Sequence, residues 1–424
     1  MARTRLHQRN SRHKPEACEA GDTLKLGEVF SSITCGVSVN GEDRPAQRGE
    51  AGVLRLSSVN GGVFRPHENK AVLGNGRDRL GANVTAGTIL ISRSNTLELV
   101  GAAALVEADC PDLYLPDLLW QAEIRDHQKT DPKWLSYVLA SDEVRAEIKA
   151  RASGTSGSMK KLSMASFRGI MIRRPPLAEQ KAIAVVLSAW DRAIGQTAAL
   201  IAAKERLKQG LMQQLLSGQR RLRGFRDPWQ RLHLGDLFTE RREPGQNGWP
   251  TLSVTLDSGI VRRESLDNPV RTSLEHEQHL LVRNGDIAYN MMRMWQGGSG
   301  MAMEDGVVSP AYVVCAPTQE IDSRFAHHLF RSPRMIYLFW AFSYGLTDDR
   351  RRLYYDEFAR VPVSIPSLKE QRRIAALFDC LESEVALLQQ RRESIARQKR
   401  GLMQQLLTGK VRVPKSLLKK GAKS

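Results

Sequence analysis

The chain has 424 residues, 41% of them hydrophobic and 26% charged, which excludes a disordered or fibrous protein and leaves room for two to four globular domains. Its 63 Lys and Arg against 46 Asp and Glu give a formal charge of +17, a balance suited to a polyanionic partner such as nucleic acid, or to an anionic membrane surface. No apolar run is long and uncharged enough for a membrane span or a signal peptide, so a cytosolic protein with no membrane partner is expected.

Residues 1–22 form a basic arm, expected to be disordered. Residues 23–174 mix short β-like runs such as Ile89-Leu90-Ile91 with Gly, Asn and Ser turns and one helical stretch over 132–151, the texture of an α+β domain. Residues 175–218 contain no proline beyond Pro176 and end in Ser217-Gly218, which predicts one long helix with a glycine stop. At 1.5 Å per residue such a helix is a rod of roughly 60 Å. A basic linker, 219–230, leads to a second α+β domain over 231–365. A second long helix, 366–409, opens with Ser367 and Glu370 spaced as a capping box, and a basic tail, 410–424, reads as a second mobile arm.

The word GLMQQLL stands at both 210–216 and 401–407, an offset of 191 residues. The same offset relates Pro175 to Pro366, Glu179-Gln180 to Glu370-Gln371, Phe167 to Phe358 and Leu162 to Leu353. Further upstream LKLGEVF (24–30) faces LHLGDLF (232–238), and AGTILIS (86–92) faces NGDIAYN (284–290). The chain is therefore a tandem duplication in which each copy is a diverged domain followed by a preserved helix. Steps of four and three along the first helix meet Ile183, Leu187, Trp190, Ile194, Thr197, Ile201, Lys204, Lys208, Leu211 and Leu215. The second helix offers Ile374, Phe378, Leu381, Val385, Leu388, Arg392, Ile395, Lys399, Leu402 and Leu406. A narrow stripe on a 3.5-residue repeat is a coiled-coil seam, and duplicated halves related by a pseudo-two-fold predict that the helices pair antiparallel with a domain at each end. Gly210 and Gly401 beside that seam each cost a helix about 1 kcal/mol, so close backbone approach is expected there, where the helices or another chain cross.

LAEQ and LKEQ opening two long helices, the GLMQQLL[ST]G endings and the tandem order together resemble the specificity subunit of type I restriction-modification enzymes, over about residues 24–413. LISRSNTLELVG (90–101) and GDIAYNMMRMWQGG (285–298) resemble patterns in that family's target recognition domains. The resemblance implies that each domain binds one half of a bipartite site on double-stranded DNA. The helices would act as a ruler, and two methylation subunits and the restriction subunits would dock on the chain. S-adenosylmethionine, ATP and Mg²⁺ are then expected in those partners and no cofactor in this chain. Helix pairing and partner docking fall on Leu187, Trp190, Ile194, Ile201, Gly210, Leu211, Gln213, Gln214 and Leu215, and on Phe378, Leu381, Val385, Leu388, Gly401, Leu402, Gln404, Gln405 and Leu406.

For DNA, Lys160-Lys161 and Arg350-Arg351-Arg352 occupy equivalent loops at the 191-residue offset, and Arg77 and Arg79 stand in NGRDR; all are candidates for phosphate contact. Arg93, Arg293 and Gln296 are candidate base readers, arginine suiting guanine and glutamine adenine. A stand-alone repressor-like binder and a basic coiled-coil scaffold remain open at this point. An enzyme does not fit: there is no phosphate-binding glycine loop and no Asn-Pro-Pro-aromatic tetrapeptide. Asp117 with Glu147 and Lys149 make only a loose nuclease-like pattern, and His327-His328 reads as a packed or surface pair. The five cysteines, Cys18, Cys35, Cys110, Cys315 and Cys380, show no C-x-x-C spacing, which speaks for a reducing compartment and against structural zinc.

Overall fold

The computed structural model describes residues 21–154, 159–267, 276–347, 350–414 and 416–418, so the basic arm through residue 20 and the last six residues lie outside the described part. The chain forms two compact units, Met1–Gly195 with Glu393–Ser424, and Gln196–Arg392. Each unit therefore contains one domain, the first part of the helix that follows it, and the far end of the helix belonging to the other copy.

In the first unit a four-stranded antiparallel sheet runs in the order Ala103–Leu105, Ile89–Ser92, Leu119–Ile124, Phe30–Cys35. Its strand ILIS is buried at every position, because helices cover one side and a five-stranded sheet packs on the other. The domain is closed by a clasp in which Asp22–Lys25 pairs antiparallel with Met171–Arg174, Leu24 facing Ile172. That strand starts at Asp22, inside the segment expected to be a disordered arm; Leu24 is buried, and burial holds the strand in place.

The second unit repeats this frame. Its sheet runs Phe238–Glu240, Tyr312–Pro317, Ile287–Asn290, Ser299–Met301, and its clasp pairs Gln230–His233 with Pro362–Ile365. Where the first domain builds its five-stranded sheet, the second has two antiparallel strand pairs among the described residues, the hairpin Leu252–Thr255 with Gly259–Arg262, and Leu280–Val282 with Gly306–Val308. Frame positions have kept their register, and the surface additions have diverged.

The LxEQ motif explains how each long helix leaves its domain. Gln180 is fully buried; its Nε2 donates to the carbonyls of Lys129 and Pro175 at 2.8 and 2.7 Å, and its Oε1 accepts from the Asp131 amide at 2.8 Å. Gln371 repeats the same three bonds with Glu320, Pro366 and Asp322 at 3.0, 2.9 and 2.9 Å. Asp131 and Asp322 in turn cap the helices Pro132–Ala140 and Ser323–Phe330 through their carboxylates. One amide thus joins a loop, the start of the long helix and the start of a shorter one.

The long helices span Leu177–Leu215 and Leu368–Leu407. Each stops before a glycine in the left-handed region, Gly218 at φ +74 and Gly409 at φ +72, a conformation that other residues resist. The expected capping box at Ser367 is not what Glu370 serves: both its oxygens accept from Arg221, at 2.8 and 2.5 Å. The equivalent Glu179 accepts from Arg412 at 2.5 Å. Arg221 and Arg412 are themselves 191 residues apart, so each copy's glutamate is met by the arginine that follows the other copy's helix.

All twenty positions of the two expected seams are buried or half-buried. In the second unit Lys204 pairs with Glu384 and Lys208 with Glu382, at 2.8 and 2.6 Å, so the helix segments there run antiparallel. In the first unit Lys399 meets Asp191 at 2.6 Å, the counterpart of the Lys208 pair. The word GLMQQLL serves the same exchange. Met403 and Leu406 lie in the core of the first unit beside Ile183 and Leu187, while Met212, Leu215 and Leu216 lie in that of the second beside Ile374 and Phe378.

A side-chain carbon at Gly210 or Gly401 would meet nothing within 4 Å, and both face solvent, so no described part of this chain makes the close approach there, which leaves the alternative of another chain. The start of the C-terminal tail is not the free arm expected, because Val413 is buried and Leu417 and Leu418 pack against the first core.

Replacing Gln371 by Leu strands two carbonyls and an amide in a buried site and is expected to cost about 2–4 kcal/mol, read as a lowered unfolding midpoint. Arg221→Met leaves the fully buried Glu370 without its partner, and is expected to lower the melting temperature more than Arg412→Met does, because Glu179 keeps some access to water. Equal losses in both would refute the buried-charge account.

Candidate nucleic-acid interface

In both domains the basic loop is held against the end of the central sheet strand by equivalent bonds. The Leu162 amide donates to the Arg93 carbonyl at 2.8 Å, and the Leu353 amide to the Met291 carbonyl at 3.0 Å. Isolated bridges Ser153 to Lys161 and Tyr344 to Arg352 close the two loops at the same 191-residue offset. Leu162 and Leu353 are buried as anchors, and Lys161 and Arg352 directly before them are exposed. Residues 155–158 of the first loop and 348–349 of the second lie outside the described residues.

In the first domain this brings three of the expected residues together. Lys160 and Lys161 pair as a strand with Asn95 and Ser94, immediately after Arg93. Lys161 is exposed, whereas Lys160 is half-buried with its Nζ donating to the Gly154 carbonyl at 2.6 Å. The Arg93 guanidinium lies over the Trp120 ring at 5.9 Å, and its Nε is buried without a partner. Arg77 and Arg79 are exposed on the turn Gly74–Arg79, which follows a strand of the five-stranded sheet, not the sheet that carries Arg93.

In the second domain Arg293 and Gln296 are both exposed and bonded to each other, Nη1 to Oε1 at 3.0 Å. Their turn packs on the helix Pro333–Ala341. Arg350 and Arg352 face solvent. Arg351 does otherwise: its guanidinium stacks on Trp340 at 4.6 Å and donates to the Ser343 carbonyl at 3.2 Å, so it fastens the loop to that helix. Around it lie exposed aromatics that composition does not reveal, Tyr337 stacked on Trp340, Tyr344 and Tyr354. Their counterparts in the first copy are Ala146, Lys149, Ser153 and Ser163, so at these four positions only the second copy carries aromatic side chains. Arginine with aromatic side chains can hold phosphates and stack on bases.

The loose nuclease-like residues do not act together. Asp117 accepts from Ser38, and Glu147 pairs with Arg151. Within the identical words, Gln213, Gln214, Gln404 and Gln405 are exposed, while Leu211 and Leu402 are half-buried, as is Trp190 further up the first helix. Sequence reasoning found Gln180 and Gln371 only as part of a motif, without their role, and missed Arg221 and Arg412. The repeat carried a signal for the arginines, since Gly218 and Leu222 stand opposite Gly409 and Val413 on either side of them.

Residues 21–204 match the family described as the type I restriction modification DNA specificity domain. The chain is 24% identical over 307 residues to the type I restriction enzyme MjaVIII specificity subunit of Methanocaldococcus jannaschii, an alignment covering 67% of this chain and 71% of that one. It is 23% identical over 354 residues to the putative MjaX specificity subunit of the same organism, covering 77% and 79%. The solved S subunit of the type I restriction-modification system from M. genitalium shares the fold, with a TM-score of 0.56 at 15% identity over 91% of this chain and 96% of that one. The mixed helix and strand content belongs to that fold. No described helix is long and apolar enough to cross a membrane.

Replacing Arg350 and Arg352 by Ala is expected to weaken binding to any duplex and to lower the slope of log K against log salt by about one for each phosphate no longer bound. Arg351→Ala is expected to leave the slope unchanged and to cost about 1 kcal/mol of stability instead. Fluorescence anisotropy across a salt series, with melting curves, separates the two.

Proposed function

We propose that this chain, a type I specificity subunit by its domain at residues 21–204 and by its relatives, is the DNA-reading subunit of a restriction-modification complex. Each domain reads one half of a bipartite site. The observation that carries this reading is the pair of equivalent basic loops, each fastened to the same strand end of a duplicated frame. Loop position is preserved for a shared task, phosphate contact, and loop chemistry differs for two different half-sites.

The two long helices act as one antiparallel coiled coil with a domain at each end. The antiparallel ion pairs inside the second unit and the reciprocal ion pairs at Glu179 and Glu370 support this arrangement. A rod of tens of ångströms suits half-sites about one DNA turn, roughly 34 Å, apart. The identical words supply two equivalent docking places for two methylation subunits. Their inner residues are taken up by the chain's own cores, while Gly210, Gln213 and Gln214, and likewise Gly401, Gln404 and Gln405, stay exposed. A helical glycine open to solvent in both copies fits close approach by another chain. Those subunits bring S-adenosylmethionine and methylate adenine; restriction subunits bring ATP and Mg²⁺. This chain contributes recognition and no catalysis.

Co-expression with cognate methylation subunits, followed by mapping of methyladenine, is expected to return one bipartite motif with a constant spacer. Inserting seven residues after Thr197 and seven after Leu388 keeps the 3.5-residue seam in register and lengthens the pair by about 10 Å. The spacer should then grow by about three base pairs with both half-sites unchanged. An unaltered spacer would refute the ruler, and tight binding to a contiguous site without partners would favour a stand-alone binder.

A further inference from the structure

The strongest chemistry-bearing cluster outside the DNA-facing loops lies in the second unit, under the seam. His327 and His328, on the helix Ser323–Phe330, and Glu382, on the second long helix, each present one ligand atom within 4.8 Å of the other two. His328 is 1% exposed, and its Nε2 sits 2.8 Å from Asp379 Oδ1. An ionised carboxylate only accepts, so Nε2 is the nitrogen that donates to Asp379, and Nδ1 is the one turned toward Glu382. Nδ1 of both histidines is buried with no hydrogen-bond partner, and the Glu382 carboxylate approaches His328 Nδ1 at 3.8 Å.

The duplicated copy shows what this place looks like when its polar atoms are satisfied. At the 191-residue offset His327, His328, Asp379 and Glu382 correspond to Ser136, Tyr137, Ser188 and Asp191. There the Tyr137 hydroxyl bonds Ser188 at 3.1 Å and donates to Asp191 at 2.7 Å. The lysine facing the carboxylate is the same in both, Lys399 on Asp191 and Lys208 on Glu382. The second copy has thus kept the frame and put two unsatisfied imidazoles where the first has a closed hydroxyl network. Two buried imidazole nitrogens without a partner, beside a carboxylate, are a set of atoms that a metal cation satisfies at once, and the nearest ammonium, Lys208, is committed to Glu382.

We propose that His327, His328 and Glu382 form a structural transition-metal site of the zinc class, with Asp379 as the carboxylate that orients His328. Two imidazole nitrogens and one carboxylate oxygen are a zinc donor set, and a carboxylate on the far nitrogen of a ligating histidine fixes its tautomer and ring orientation. Metal bonds of about 2.0–2.1 Å bring ligand atoms to about 3.3 Å apart in a tetrahedron, so the cluster contracts by about 1 Å on binding. Two cations oppose the site: Lys208 gives up Glu382 on binding, and Arg331 lies beside His327. The cysteine pattern says nothing for zinc; the case rests on histidine and carboxylate alone. A metal here ties the helix Ser323–Phe330 to the second long helix.

The full chain without an affinity tag, stripped with chelator and titrated with Zn²⁺ at pH 7.5 against a chromophoric competitor, is expected to bind one equivalent. Co²⁺ at that site should show the intense visible bands of four-coordinate cobalt. His327→Gln and Glu382→Gln should each weaken binding at least about tenfold, Asp379→Asn about 10–100-fold, and Lys208→Met should tighten it. Zn²⁺ should raise the melting temperature of the wild type and of Lys208→Met, and leave that of His327→Gln unmoved. The site is overturned if the wild type binds no more zinc than His327→Gln does, or if Lys208→Met binds more weakly. Both readouts are independent of DNA.

Discussion

Everything in this fold hangs on a buried amide. Gln180 and Gln371 each satisfy a loop carbonyl, a proline carbonyl and the amide of a capping aspartate, in a place that water does not reach. An amide is the only side chain of that length with both a two-proton donor and an acceptor, so no other residue closes the three bonds. Since these bonds join the start of the long helix to the domain, they set the direction in which the helix departs. Each unit builds that joint once, with the same atoms.

The second constraint is exchange. A helix of about forty residues that packed only against its own domain would leave its far half uncovered; here that half is taken up by the core of the other unit. The glutamate of the opening motif and the arginine after the closing word meet across copies, as do the seam lysines and their carboxylates. The word GLMQQLL is identical in both copies because it meets equivalent surfaces: its methionine and second leucine enter a core, its glutamines stay outside. Function separates from frame accordingly. The frame repeats, while the surfaces it carries differ: lysines and serines on one loop, arginines among tyrosines and a tryptophan on the other.

Much of this was legible before any coordinates. The duplication, both helices and the seam follow from periodicity and a constant offset, since heptad spacing and glycine stops are local properties of a chain. The basic loops were found because they precede the anchors Leu162 and Leu353 in both copies. The misses have one cause. Glu370 looked like half of a capping box because Ser367 is its sequence neighbour; the arginine that takes it lies 149 residues away. Arg351 looked like its neighbours Arg350 and Arg352, and only packing on Trp340 distinguishes it. The tail looked like a free arm by charge, though Val413 lies in a core.

By itself, then, the sequence determined the repeat, the element types and the residues able to form a seam, because these depend on spacing along one chain. Only the tertiary structure decided which carboxylate meets which cation, that Gly210 and Gly401 face open space, and that two adjacent histidines converge on Glu382. Such partnerships join residues far apart in sequence, and a one-dimensional pattern carries no record of the distance between them.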